Sequence, residues 1–156
     1  PAKDFALFSS IVQSMILTTS QVAKGPFGAV IGYSMIELIC TPQRIGQKIF
    51  RGRIWGDVGF VHIGLDVFDM RGLADVLAQK NIQFKCDSQA ALSMGKTQVH
   101  CAYVVDPDGI LIELIEVYKI PLIEKWGIFL NVHGKKAGKA LPNWLIRLLR
   151  FSRIKD

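Results

Sequence analysis

The chain has 156 residues, half of them apolar or aromatic and 21% charged. That balance excludes a disordered chain and suits one compact domain, or two small modules sharing a core. The net charge of +6 is confined to one end: residues 119–156 carry nine Lys or Arg against two acids, residues 1–118 ten against eleven. Basic tails can meet nucleic acid or anionic membranes. No RNA-binding aromatic motif, zinc-finger spacing or helix-turn-helix pattern accompanies this one, so no nucleic-acid partner is expected.

No apolar run reaches the roughly 18 residues of a membrane span. The stretch Phe5 to Thr18 comes nearest, but Ser9, Ser10, Gln13 and Ser14 interrupt it, and it reads as a strand pair or core segment. No basic start leads into an apolar run and a cleavage site, so no secretory signal is visible. Cys40, Cys86 and Cys101 are odd in number, widely spaced and form no CxxC pair. They read as small apolar residues of a reducing cytoplasm, and a cytoplasmic location is expected.

Residues 27–39 end in a strand, Gly32 to Ile39, with one Glu inside an apolar run. Residues 49–57 form a linker holding Arg53 and Trp55, which border a site mouth if one opens there. Val58 to Val67 is rich in β-branched and apolar residues and predicts a strand. Asp69 is placed to cap a following helix, with Leu73, Val76 and Leu77 on one face, and Asn81 ends it. Ile82 to Cys86 alternates as a short strand, and Gln98 to Val105 makes another. Asp106-Pro107-Asp108-Gly109 is a tight-turn sequence, Pro fixing one angle and Gly accepting a positive φ. The strand Ile110 to Val117 leaves it. Beyond Tyr118 to Pro121 and a Gly/Lys loop at 134–139, Leu141, Trp144, Leu145 and Leu148 fall at helical spacing behind Pro142. That helix is expected to pack against the body with Arg147 and Arg150 in solvent, membrane-surface docking being the alternative, and no membrane partner is expected.

The strand at 32–39 echoes Gly109 to Ile115, and such repetition suggests two copies of one unit, the first incomplete. Residues 1–48 then supply later strands of a first module, 49–57 the linker, 58–118 a complete β-α-β-β-β module, and 119–156 a basic extension.

A Glu within an apolar strand is costly unless paired or bound to metal. Glu113 shares a face with Leu111 and Ile115 while Glu116 points the other way. Glu37 lies between Met35 and Ile39 in the same phase, and His62 between Val61 and Ile63. Singly, each has an ordinary explanation as a strand-edge acid or a core histidine. Together, His62, Glu113 and Glu37 make a candidate facial metal site for Zn²⁺, Fe²⁺, Mn²⁺, Ni²⁺ or Co²⁺.

Val61-His62-Ile63-Gly64-Leu65-Asp66-Val67, with Asp106-Pro107-Asp108-Gly109 and Ile112-Glu113-Leu114, resembles the vicinal oxygen chelate superfamily of glyoxalases, bleomycin-resistance proteins and extradiol dioxygenases. The segments 49–60 and Leu141-Pro142-Asn143-Trp144 look like an uncharacterised bacterial subgroup of it. The resemblance implies an α+β fold in which paired βαβββ modules curl a mixed sheet into a cup around a divalent metal. Carried over by motif, His62 and Glu113 are second-module ligands, Glu37 a first-module ligand, and the fourth has no counterpart. The implied chemistry is metal-assisted lyase or isomerase action on a small substrate with vicinal oxygens, the metal stabilising an enediolate. Glu113 is the implied base, Glu37 second. The alternatives are metal-free small-molecule binding, as in bleomycin resistance, and Fe²⁺ dioxygenase chemistry, which normally takes two His and one Glu. A degenerate module kept for dimerisation is a third. Exposed edges on an incomplete module predict a homodimer.

The remaining polar residues have plainer readings. His100 is structural or lines the cup, Tyr103 faces the pocket or packs, and His133 is solvated. Asp106 and Asp108 form the turn, and Asp66 meets solvent or an Arg near the strand end.

Overall fold

The computed structural model describes residues 13–22, 25, 27–43, 45–48, 51–52, 57–123, 126–133 and 139–148. In chain order its elements are β1 (Gln13–Thr18), α1 (Gly28–Ile31), β2 (Met35–Cys40), β3 (His62–Asp66), α2 (Met70–Gln79), β4 (Cys86–Asp87), β5 (Leu92–Met94), β6 (Thr97–Val105), β7 (Leu111–Ile123), β8 (Ile128–Asn131) and α3 (Asn143–Leu148). This is a mixed α+β protein, mostly strand. Its larger sheet runs β3-β7-β6-β4, with β5 added to β6 and β8 to β7. β3 lies parallel to β7 and the other pairs are antiparallel. A parallel pair needs a crossover, and α2 lies in the one that joins β3 to the rest.

Both ends of α2 are chemically specified. Asp69 caps its start, accepting from the Gly72 amide at 3.1 Å. At the far end Asn81 turns to φ 58°, and the Ile82 amide returns to the Leu77 carbonyl at 2.9 Å while the Asn81 amide reaches Ala78. That pair of bonds is a Schellman closure. It corrects the strand expected over Ile82–Cys86. The Ile82 amide is spent on ending the helix, so bonding to β6 begins at the Lys85 amide and the paired strand at Cys86. One face of α2 covers the sheet, where Met70, Ala102, Val104 and Leu114 form a buried core flanked by Leu73, Leu77, Phe84 and Ile112.

Other boundaries also move. The strand expected from Val58 starts at His62, and Val58 and Phe60 are exposed. β7 runs past its expected end at Val117 to Ile123, because Ile128–Asn131 folds back to pair with it. Pro121, which has no amide hydrogen to give, falls where the register shifts. In the turn before β7, Gly109 has φ 92° and Asp106 accepts from the Ile110 amide at 2.7 Å.

Among the described residues, β1 and β2 pair only with each other. All of β1 is exposed, so the described part of the Phe5–Thr18 stretch is one strand of a pair rather than core. Residues 5–12, Arg53 and Trp55 lie outside the described residues. In α3, Leu145 and Leu148 are half-buried, as the expected stripe requires, but Trp144 is exposed and Ile146 takes the inner place.

Candidate functional site

Strand period and pairing register put a polar cluster on the sheet face away from α2. Glu113 has Gly64 beside it on β3 and Tyr103 opposite it on β6. His62, two residues before Gly64, shares that face. Its Nε2 lies 3.0 Å from Glu113 Oε2, with both side chains largely buried. The Tyr103 hydroxyl donates to the other oxygen, Oε1. The His62 and Tyr103 rings meet edge to face, 5.8 Å between centroids. Burial, then the hydrogen bond to Glu113, pushes the Tyr103 phenol above the ordinary tyrosine range, so it stays protonated as a donor. Burial followed by the Glu113 charge raises the neighbouring Cys101 thiol in the same way.

The pair can be tested for fit to a metal. Two adjacent ligands on an octahedral ion with bonds of about 2.1 Å stand about 3.0 Å apart. The Nε2–Oε2 separation is 3.0 Å, and one donor is imidazole, the other carboxylate. A Cβ added at Gly64 would stand 3.8 Å from Glu113 Oε2, an ordinary van der Waals contact, so the glycine lies directly against the acid. One imidazole and one carboxylate would be two suitable donors for a divalent ion, and in this structure they contact each other directly.

Glu37 is placed differently. It sits opposite Ile16 in the separate β1–β2 sheet and is exposed. Among the described residues no three His, Cys, Asp or Glu side chains are gathered to hold an ion. Glu37 therefore does not join His62 and Glu113, because its strand pairs with β1 instead of entering the larger sheet. Asp66 shares the face of His62 and is exposed.

A second polar cluster, unforeseen in the sequence, lies on the α2 side. Glu116 is 3% exposed. It accepts from the Asp69 and Met70 amides at 3.0 and 3.1 Å, and its Oε1 lies 3.2 Å from His133 Nδ1. The Tyr118 hydroxyl stands 3.5 Å from Glu116 Oε2 and 3.3 Å from His100 Nδ1. His100 Nε2 is 2.5 Å from Asp87 Oδ1. His100 is thus buried in a network, and His133 is held rather than merely solvated. Burial opposes the charge of Asp87, but its bond from the Gln89 amide and its contact with His100 prevail and hold it below the usual range. Burial and the Glu116 charge raise the Tyr118 phenol, with Arg71 opposing.

Comparison with protein-family models, curated proteins and solved structures gives no match to this chain. Function is therefore read from the side chains themselves. No helix among the described residues is long and apolar enough to cross a membrane.

Proposed function

We propose that the chain is a divalent-metal-dependent enzyme of the vicinal oxygen chelate kind, a glyoxalase-like lyase or isomerase acting on a small substrate with vicinal oxygens. The observation that carries this reading is the pair His62 Nε2 and Glu113 Oε2, 3.0 Å apart on one face of the sheet. Further donors would have to come from substrate, water and a second copy of the chain, in a homodimer whose paired modules would form a cup. Zn²⁺, Ni²⁺, Co²⁺, Mn²⁺ and Fe²⁺ all accept such donors.

A divalent ion held there supplies Lewis-acid polarisation of two adjacent substrate oxygens. The protein's own groups do the rest. His62 offers its Nε2. Glu113 would take a proton from the hydroxyl-bearing carbon next to the substrate carbonyl and return it to the carbonyl carbon, the hydroxyl proton passing to the former carbonyl oxygen. Tyr103, kept protonated, holds Oε1 and so fixes the orientation of the carboxylate.

A second reading, metal-free small-molecule binding, is favoured by one observation: both Glu113 oxygens already have side-chain partners. Elemental analysis of protein purified without chelator separates the two. About one divalent ion per site is expected, lost in His62→Ala and in Glu113→Ala with their circular dichroism unchanged. Wild-type protein that stays metal-free when offered these ions would sink the metalloenzyme and leave the binding protein.

A further inference from the structure

On the α2 side of the sheet, Phe68, Asp69, Arg71, Glu116, Tyr118 and His133 line a cleft of about 480 Å³. Its two carboxylates are both engaged. Asp69 accepts from the Gly72 amide. Glu116 is occupied by two amides and by His133. Arg71 is not so engaged: among the described residues no carboxylate pairs with it, although it lines the cleft and its charge acts on the Tyr118 hydroxyl. The guanidinium is the one charge on this wall without a local partner among the described residues, and it matches a carboxylate in planarity and donor spacing.

His133 is oriented by its neighbours. Its Nδ1 faces the anionic, buried Glu116, so the neutral ring carries its proton there and keeps the Nε2 lone pair available. Its ring lies 4.1 Å from that of Tyr118, and half of its side chain is exposed at the cleft. A buried carboxylate behind Nδ1 with Nε2 open is how proteins fix a histidine as an acceptor. Phe68, half-exposed, adds an apolar wall.

We propose that this cleft is a second small-molecule site, for an aromatic hydroxy acid: carboxylate on Arg71, ring against Phe68, and hydroxyl donating to His133 Nε2. It shares no residue with the His62–Glu113 pair and stands whether or not that pair binds metal.

The test has two arms, both on the full chain. Imidazole nitrogen NMR at alkaline pH is expected to show neutral His133 protonated at Nδ1. A ring protonated at Nε2 would overturn the acceptor role. Calorimetric titration with benzoate, its neutral isostere benzamide and the ortho, meta and para hydroxybenzoates probes the ligand class. Benzoate is expected to bind at least about tenfold more tightly than benzamide, and Arg71→Gln to remove that advantage. One hydroxybenzoate is expected to gain a further factor of about five to ten over benzoate, lost in His133→Phe. Benzamide binding as well as benzoate, no binding by any acid, or affinities indifferent to Arg71→Gln would each defeat the proposal. Arg71 and His133 are exposed, and circular dichroism of both variants checks that the fold survives, His133→Phe removing one partner of the buried Glu116.

Discussion

Tyr103 is the residue on which the behaviour of Glu113 turns. Its hydroxyl holds one carboxylate oxygen, and its ring sits against the edge of His62. Tyr103→Phe keeps the ring and removes the donor. In the metal reading it is expected to weaken divalent-ion affinity about ten- to a hundredfold by calorimetry, the usual scale for an outer-shell partner. Ionisation gives a separate prediction. Tyr103 and Tyr118 both hold their protons above the ordinary range, by burial first and then by their Glu neighbours. An unfolded chain releases those protons near pH 10 while the folded one retains them. The stability they contribute is therefore whole below about pH 10 and declines as pH rises beyond it. Asp87 has the opposite sign. Its depressed folded pKa adds stability that is present above about pH 4 and lost as pH falls further. Urea unfolding across pH is expected to show both limbs, with the alkaline one reduced in Tyr103→Phe and the acid one in Asp87→Asn.

At the scale of elements, the start of α2 is held from outside the helix. Glu116, two strand residues beyond Leu114, reaches the first amides of α2 from β7 and so ties helix to sheet. Glu116→Ala leaves one buried and one partly buried donor without their acceptor and should cost about 2–4 kcal/mol in a urea melt. Asp69 caps the same helix from within, but at φ 66°, a conformation that glycine adopts more readily. Asp69→Gly is therefore expected to lie within about 0.5 kcal/mol of wild type, since the strain relieved offsets the cap lost. A loss as large as that of Glu116→Ala would mean that Asp69, not Glu116, anchors the helix. The Schellman closure at Asn81 is read from a local sequence signal, Asn after an amphipathic stretch. The reach of Glu116 across 46 residues has no local signal at all.

At the scale of the whole molecule, the β1–β2 sheet leaves much apolar surface uncovered. Pairing register sets Met15, Leu17, Ile36 and Leu38 on one face, while Glu37 shares the other with Ile16 and Ile39. Met15, Leu17 and Leu38 are 61%, 48% and 51% exposed, which is a poor state for an isolated chain. Self-association through this face is the expected outcome, and it suits the dimer proposed above. Light scattering on wild-type protein should give a dimer, and Leu38→Asp a monomer with its main fold intact. A wild-type monomer at working concentration would remove this role from β1–β2.

What belonged to the sequence alone was whatever depends on near neighbours along the chain. Alternation put Glu113 and Glu116 on opposite faces, Asp69 and Asn81 bracketed a helix, and Asp106 to Gly109 made a turn. Each of these follows from backbone geometry within a few residues. Only the tertiary structure decided the partners: Tyr103 on Glu113, His133 returning to Glu116, His100 on Asp87, and Glu37 left on a sheet of its own. Those contacts depend on which strand lies beside which and in what register. That choice is made by burying α2 against the sheet as a whole, an energy shared among distant residues and carried by no single motif.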